Sequence, residues 1–460
     1  MDPARLLTHS LRNNSWGGIV AGVLSAALQA VNPAETITRF VQRSGTILSV
    51  EEMDYDLNNY KRVLVIGAGK AGQPMALAVS DLLRDYLIKG VVIVKEGYTD
   101  FQSLENRRAV RGITIYEAGH PVPDERGVHA TQQIINILSD TQCDDLIICL
   151  ISGGGSALML SPVPGVSLSD LQALTSQLLA CGANINEINS LRKHLDLVKG
   201  GGLAQMAAPT QVVTLILSDV VNDPLDVIAS GPTVPDTTTF SDAYQILERY
   251  KIMDDIPVPI IHYLKRGKRG EIADTPKTGD PIFEKVQNVV IGSNILAAKA
   301  ACHQAVVEGL NTLLLTTSLQ GEARQIGPII AAIGRQITET GDPVQRPACI
   351  ICGGETTVTL RGKGKGGRNQ ELALSAVADL AGLSNVFFIT LATDGGDGPT
   401  DAAGAVVTGE TLSRARSLGL DPFDYLGRND AYNWFDPLDD LLKPGPTMTN
   451  VNDLTFLFVF

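Results

Sequence analysis

Val63-Leu64-Val65-Ile66-Gly67-Ala68-Gly69-Lys70-Ala71-Gly72 decides how this chain is read. The four apolar residues read as a short buried strand. Gln73 to Arg84 read as a helix, with Met75, Leu77, Ala78, Leu82 and Leu83 available for packing. A strand that turns through glycines into a helix gathers backbone N–H groups and the positive end of a helix dipole at one point, which attracts anions. Lys70 adds a cation inside the turn itself. By spacing alone the ligand is a dinucleotide, a nucleoside triphosphate or a carboxylate.

The same grammar recurs along the chain. Val91–Val94 and Ile113–Tyr116 read as strands, Gly127–Leu138 as a helix, and Leu146–Ile151 as a wholly apolar strand of the kind covered on both faces. Leu168–Cys181 and Asn189–Met206 read as helices, and Val212–Leu217 as another buried strand. This alternation predicts a doubly wound, Rossmann-like, mostly parallel sheet in an N-terminal domain over 1–250. The segment 251–285, with its Arg-Gly-Lys-Arg-Gly and Thr-Pro-Lys-Thr-Gly-Asp-Pro runs, reads as an exposed connection. A smaller α/β domain with a mixed sheet is expected over 286–460. There Val289–Ile291 and Thr312–Thr316 are strands around a helix. Ala348–Cys352 and Thr356–Leu360 look like an antiparallel pair. A helix over Asn369–Ala381 and strands over Val386–Ala392 and Leu454–Phe460 complete it.

Composition narrows the function. The chain has 460 residues, 45 of them glycine, with 5% aromatics and a formal charge of −13. That balance opposes a nucleic-acid or anionic membrane surface, which needs a basic face. Six scattered cysteines form no disulfide framework, so a reducing cytoplasm is the expected compartment. Cys349 and Cys352 read as buried strand residues rather than a metal pair. Ile19 to Val31 form one helical stripe stopped by Asn32-Pro33, an amphipathic first helix rather than a signal segment. No run reaches the length of a membrane span.

Further loops carry chemistry. Ser152-Gly153-Gly154-Gly155-Ser156 follows the apolar strand and suits an oxyanion or phosphate cradle. Arg192, Lys193, His194 and Lys199 form a cationic patch, with Arg192 and Lys199 able to share a helix face; it suits a carboxylate or phosphate clamp. Asp219, at the end of the Val212–Leu217 strand, suits Mg²⁺, which takes carboxylates together with phosphates and water. In the second region a mobile loop with Lys363 and Lys365 runs into Arg368, suited to stabilising a transferring phosphoryl group. Asn369 is placed to cap the helix that follows. Glu355 ends Gly353-Gly354-Glu355, and Asp394, Asp397 and Asp401 crowd the turn after Ala392. Gly67–Gly72 also matches GxGxxG, and Glu96 stands where a dinucleotide fold places its ribose-binding acid. An NAD(P)-dependent hydroxypyruvate reductase is therefore the alternative. No GxxxxGK[ST] motif and no protein-kinase signature set is present.

Ten blocks in order resemble the class II glycerate kinases, the MOFRL family, often labelled hydroxypyruvate reductases. They include Gly67–Ala71, Glu117–Asp124, Ser152–Ser156, Arg192–His194, Leu217–Val220, Ile228–Pro232, Gly353–Thr356, Gly366–Glu371, Asp397–Asp401 and Thr449–Leu454. The resemblance implies a Rossmann-like domain and a smaller one with the site in the cleft between them. It implies ATP-dependent phosphorylation of D-glycerate, at the 2-hydroxyl, with Mg²⁺ or another divalent cation. It places the catalytic lysine on Lys70 and the catalytic arginine on Arg368. Substrate or nucleotide contacts fall on Gly67, Gly69, Ser152–Ser156, Arg192, Lys193, His194, Asp219, Glu355, Asp394 and Asn450, with Asp219 and Asp394 as metal candidates. The expected partners are small molecules alone, in a monomer or homodimer. Met448 stands where many relatives place glycine, and Gly396 replaces a common threonine.

Overall fold

The computed structural model describes residues 1–98, 109–110 and 112–460. Two compact units emerge: Thr36–Ile291, and Met1–Glu35 together with Gly292–Phe460. The N-terminal segment thus sits with the C-terminal part of the chain, not in a domain over 1–250. Packing explains this. The helix Gly17–Ala30 buries Val20, Ala21, Val23, Leu24, Ala27 and Leu28, nearly its whole circumference, and packs on the helix Asn294–Val307. Trp16 stacks on Phe460 with ring centroids 4.3 Å apart, and the Thr449 hydroxyl donates to the Val31 carbonyl at 2.6 Å.

The Thr36–Ile291 unit opens with a small antiparallel sheet of β1 (Val41–Ser44), β2 (Ile47–Val50) and β3 (Met53–Asp56). Its main sheet contains β4 (Arg62–Ala68), β5 (Leu87–Lys95), β6 (Ala109–Val110), β7 (Ile113–Ala118), β8 (Asp145–Ile151), β9 (Gln211–Leu217) and β10 (Val286–Gly292). Their order is β10-β9-β8-β4-β5-β7-β6. The pairs β4–β5, β4–β8, β5–β7 and β8–β9 are parallel, and β6 runs antiparallel to β7. The α/β fold with its doubly wound sheet is as the alternation predicts. Val289–Ile291 proves to be part of β10 beside β9, not the start of the second sheet. The segment 251–285 is no bare connection either: the helix Val258–Lys268 buries Ile260 and Leu264 in one core with Phe240 and Leu247.

The other unit carries a mixed sheet of β11 (Asn311–Glu322), β12 (Ala348–Thr357), β13 (Val386–Ala392), β14 (Gly404–Thr408), β15 (Leu441–Leu442) and β16 (Asp453–Val459). The order is β11-β12-β16-β13-β14-β15, with only β11–β12 parallel among the pairs. The expected hairpin at Gly353-Gly354 is instead one continuous strand. Gly354 takes φ +148°, and a Cβ there would lie 2.2 Å from the Leu319 carbonyl oxygen, so the backbones of β11 and β12 close up where a turn was predicted. Cys349 and Cys352 are buried in that strand, and burial pushes the Cys352 thiol up to about 12. No single helix among the described residues is long and apolar enough to cross a membrane.

Phe388 is fully buried in β13, whereas Phe423 is 69% exposed. Phe388→Ala is expected to destabilise its unit by about 3–5 kcal/mol and Phe423→Ala by under about 0.5 kcal/mol, read as urea-unfolding midpoints.

Candidate active site

The strand register brings three turns to one edge. Ala68 lies opposite Ile151, and Ile151 opposite Ile216, so β4, β8 and β9 end level with one another. The chain runs from β4 outward to β5 and returns to β8 on the other side, which makes this edge the topological switch point where open α/β sheets bind ligands. The turns interlock through missing side chains. A Cβ at Gly67 would lie 2.2 Å from the Leu150 carbonyl oxygen, and one at Gly69 would lie 2.1 Å from Ser152 Oγ. A Cβ at Gly153 would lie 2.1 Å from Asp219 Oδ2, so the carboxylate rests directly on the Ser152–Ser156 backbone. Hydrogen bonds fix the assembly. Lys70 N–H donates to the Gly153 carbonyl at 2.9 Å and Ala71 N–H to Ser152 Oγ at 3.0 Å. Ser156 and Ser230 hydroxyls are 2.8 Å apart.

Lys70 leaves this turn with no ion pair for its ammonium among the described residues. His120 packs on the same turn, its Nε2 2.9 Å from the position of a Gly154 Cβ. Burial and then the charges of Lys70 and Lys95 hold its pKa down to about 4, so it stands as a neutral imidazole at pH 7. In the sequence it stands out only as part of the Glu117–Asp124 block. Its signal was the position of Glu117–Asp124 just after a strand.

The cationic patch divides. The helix expected over Asn189–Met206 ends at His194, and another begins at Gly202, because Gly200 and Gly201 take φ +53° and +84°. Arg192 and Lys199 therefore do not share a helix face. Buried Lys193 lies 3.4 Å from Asp226 and 3.3 Å from Asp236. His194 Nε2 lies 2.9 Å from Asp274, and its Nδ1 2.7 Å from the Ser190 carbonyl. Lys199 pairs with Asp196 at 2.6 Å. These three are internal ties. Arg192 alone of the four forms no ion pair among the described residues.

The other unit has its own charged centre. The register sets Asp453 opposite Gly354 on one side and Ala392 on the other, so Glu355, Asp453 and Asp394 gather at one sheet edge. Arg368 begins the helix Arg368–Leu380. It donates through Nε to Asp453 at 2.5 Å, through Nη2 to the same carboxylate at 3.2 Å, and through Nη1 to Glu355 at 2.5 Å. Burial opposes its charge, but Asp453 and Glu355 raise its pKa above the usual arginine value. Asn369 is not the cap; it lies buried inside the helix. Asp397 serves there instead, accepting from Gln370 N–H at 2.8 Å. Burial, with the Asp453 charge, pushes Asp397 up to about 7. The Lys363–Lys365 loop, expected to be mobile, is held: Gly362 N–H donates to Asn429 and Lys365 N–H to Asp430, both at 2.9 Å, and Lys365 lies over the Tyr432 ring. Asn450 is half-buried and accepts from Asn452 N–H at 3.2 Å. Asp394 accepts from Gly396 N–H at 3.2 Å.

Comparison with known proteins bears on this arrangement directly. Residues 348–453 match the MOFRL family, and residues 19–265 match a domain of unknown function, DUF4147. A glycerate 2-kinase of Pyrococcus horikoshii is 40% identical over 95% of this chain and 96% of its own. A D-glycerate 2-kinase of Thermotoga maritima is 43% identical over 86% of this chain and 90% of its own.

The chain belongs to the MOFRL-type glycerate kinase family.

The crystal structure of the T. maritima glycerate kinase superposes with a TM-score of 0.85 at 39% identity, covering 96% of this chain and 99% of that one. Two relatives from Agrobacterium vitis, 42% identical, are named putative hydroxypyruvate reductases. The acid that a dinucleotide reading needs is engaged here, since Glu96 lies 2.8 Å from Arg126. Against the glycerate kinase pattern, Met448 takes φ +61°, the left-handed region that favours glycine, so the turn is kept at the cost of strain. Gly396 has room for a larger side chain, with only the Thr400 carbonyl oxygen near, at 3.6 Å.

Among the described residues no three His, Cys, Asp or Glu groups cluster as a metal site. Magnesium in kinases is held by one or two carboxylates plus phosphates, so the Asp219 carboxylate resting on the glycine turn fits such an ion.

A native pKa near 7 on Asp397 lies above the ordinary 3.8. The unfolded chain then releases this proton first, and the group's stabilising contribution is lost as pH rises from about 4 through 7. Asn keeps the acceptor without the titration. Asp397→Asn is expected to gain about 2–4 °C in melting temperature relative to the unaltered chain between pH 5 and pH 8.

Proposed function

We infer that this chain is an ATP-dependent glycerate 2-kinase, transferring the γ-phosphoryl group to the 2-hydroxyl of D-glycerate. Its family membership supports the reaction. The observation that carries the residue assignment is the Lys70 ammonium, unpaired among the described residues while its backbone is fixed to the Gly153 carbonyl.

Phosphoryl transfer asks little covalent chemistry of a protein; positioning and charge stabilisation do most of the work. In this reading the Ser152–Ser156 turn and Arg192 hold anionic oxygens, and Lys70 neutralises charge on the transferring group. In the other unit, Arg368 is suited to stabilising negative charge on a phosphoryl group. Asp453 holds one edge of its guanidinium, while Glu355, 42% exposed at its side chain, is the partner that a phosphoryl oxygen replaces. His120, neutral beside the turn, adds no charge there and can hydrogen-bond a substrate oxygen. Asp219 would hold a divalent cation, which supplies further charge neutralisation on the phosphates. Lys193 and His194 keep the Arg192 helix in place rather than touching substrate. Asp394 and Asn450 remain candidates for orienting the glycerate hydroxyls. All six cysteines are free thiols, and the reading includes a cytoplasmic enzyme acting on small molecules.

Lys70→Ala and Arg368→Ala are each expected to lower kcat by about 10²–10³ in a coupled ADP-release assay with D-glycerate. Product NMR should show 2-phosphoglycerate. NADH oxidation by hydroxypyruvate without ADP release would overturn the kinase reading.

A further inference from the structure

Within the Thr36–Ile291 unit a cavity of about 290 Å³ adjoins the second glycine turn. Ser156 and Ala157 form its edge toward that turn. Leu160, Leu171, Leu174 and Leu179 make much of the remaining wall, closed by the 121–123 segment that follows His120. Glycerate has three carbons, and every one carries oxygen. It has nothing to place against four leucines. The other substrate of a kinase has a flat, weakly polar ring. The volume is just under the range of whole drug-sized sites, about 300–1,000 Å³, which suits one ring system rather than an entire nucleotide.

The polar groups of the lining agree. Asp196 and Lys199 also reach the cavity but neutralise each other at 2.6 Å, and Lys199 donates further to the Met159 carbonyl at 3.0 Å. That leaves Arg192 as the one lining charge without an ion pair among the described residues. Burial pulls its pKa below the usual arginine value, and the Asp196 charge offsets this only in part. A guanidinium plane stacks well on an aromatic ring face. Gln172 is oriented by donating its amide N–H to the Pro123 carbonyl at 2.7 Å, so its carbonyl oxygen remains as an acceptor. Adenine offers an exocyclic amine donor at the edge where guanine offers an acceptor oxygen.

We propose that this cavity, walled by Leu171, Leu174 and Leu179 with Arg192 and Gln172 as its polar groups, receives the adenine ring of the phosphoryl donor. The assignment rests on the kinase reading of the adjoining turn. It runs the nucleotide from a leucine-lined base site, past Ser156, to phosphates on the glycine turn.

Thr175, which lines the cavity, is half-buried, and Thr175→Trp would fill the space. Calorimetric titration with adenosine, in the absence of glycerate, is expected to show affinity falling at least about tenfold in this variant. In steady-state assays the KM for ATP should rise by about tenfold more than that for D-glycerate. If the glycerate KM rises and the ATP KM does not, the cavity belongs to the acceptor, and the base assignment falls while the kinase reading stands. If adenosine binding weakens but the unaltered chain releases no ADP with glycerate, the cavity assignment stands and the kinase reading falls. Photolabelling of the unaltered chain with 8-azido-ATP guards against a variant that misfolds. Label in peptides covering 121–123 or 168–179 supports the assignment, and label confined elsewhere overturns it.

Discussion

The close approach of backbone at Gly67, Gly69 and Gly153 is the constraint on which the first unit's chemistry depends. At each, a side chain would strike a neighbouring strand's carbonyl, hydroxyl or carboxylate within about 2 Å. These contacts dock the turns after β4, β8 and β9 into one surface. Lys70, Ser152 and Asp219 therefore share an edge because three parallel strands end in register and three glycines let their turns touch. Replacing any of the three by alanine would push a turn away from its neighbour and disturb residues on both.

The second unit solves the same problem by register instead of by glycine. Asp453 begins β16, whose neighbours on either side are β12 and β13. Those strands deliver Glu355 and Asp394 next to it. Arg368 then enters from a helix whose first turn is tied by Asp397. One arginine balances several acids, so the cluster has both a strong hold on its cation and at least one carboxyl that stays protonated well above its usual range.

Much of this was readable from the sequence, and the reasons for the misses are specific. Apolar runs ending in glycine located β4, β8 and β9 and the turns that follow them, because a strand buried on both faces leaves an unbroken hydrophobic signature. The family resemblance, carried by ten ordered blocks, named the reaction. What failed were inferences from local spacing about long-range partners. Arg192, Lys193, His194 and Lys199 look alike in sequence, yet Asp226, Asp236, Asp274 and Asp196 claim three of them from distant or looped-out positions. Gly353-Gly354 looked like a hairpin because glycine pairs mark turns, but here they admit a neighbouring backbone. Asp397 stands in the sequence as one acid of a crowded turn and Asp453 inside a matched block, but their roles arise from a helix start roughly thirty residues away and from register with strands fifty or more residues away in the chain.

The chain's division also orders its synthesis. The Thr36–Ile291 unit is one uninterrupted stretch, and domains generally fold as units while translation proceeds. The other unit is split around it. Its central strand, β16, leaves the ribosome after every other strand of that sheet, and the early helix Gly17–Ala30 must wait for Asn294–Val307 before its buried face has a partner. A nascent chain arrested before β16 would thus display a finished glycine-turn half beside an open sheet between β12 and β13, with the Arg368 guanidinium lacking Asp453. Such an intermediate is a natural client for a chaperone, and ribosome profiling with limited proteolysis would find the inserted unit protected first.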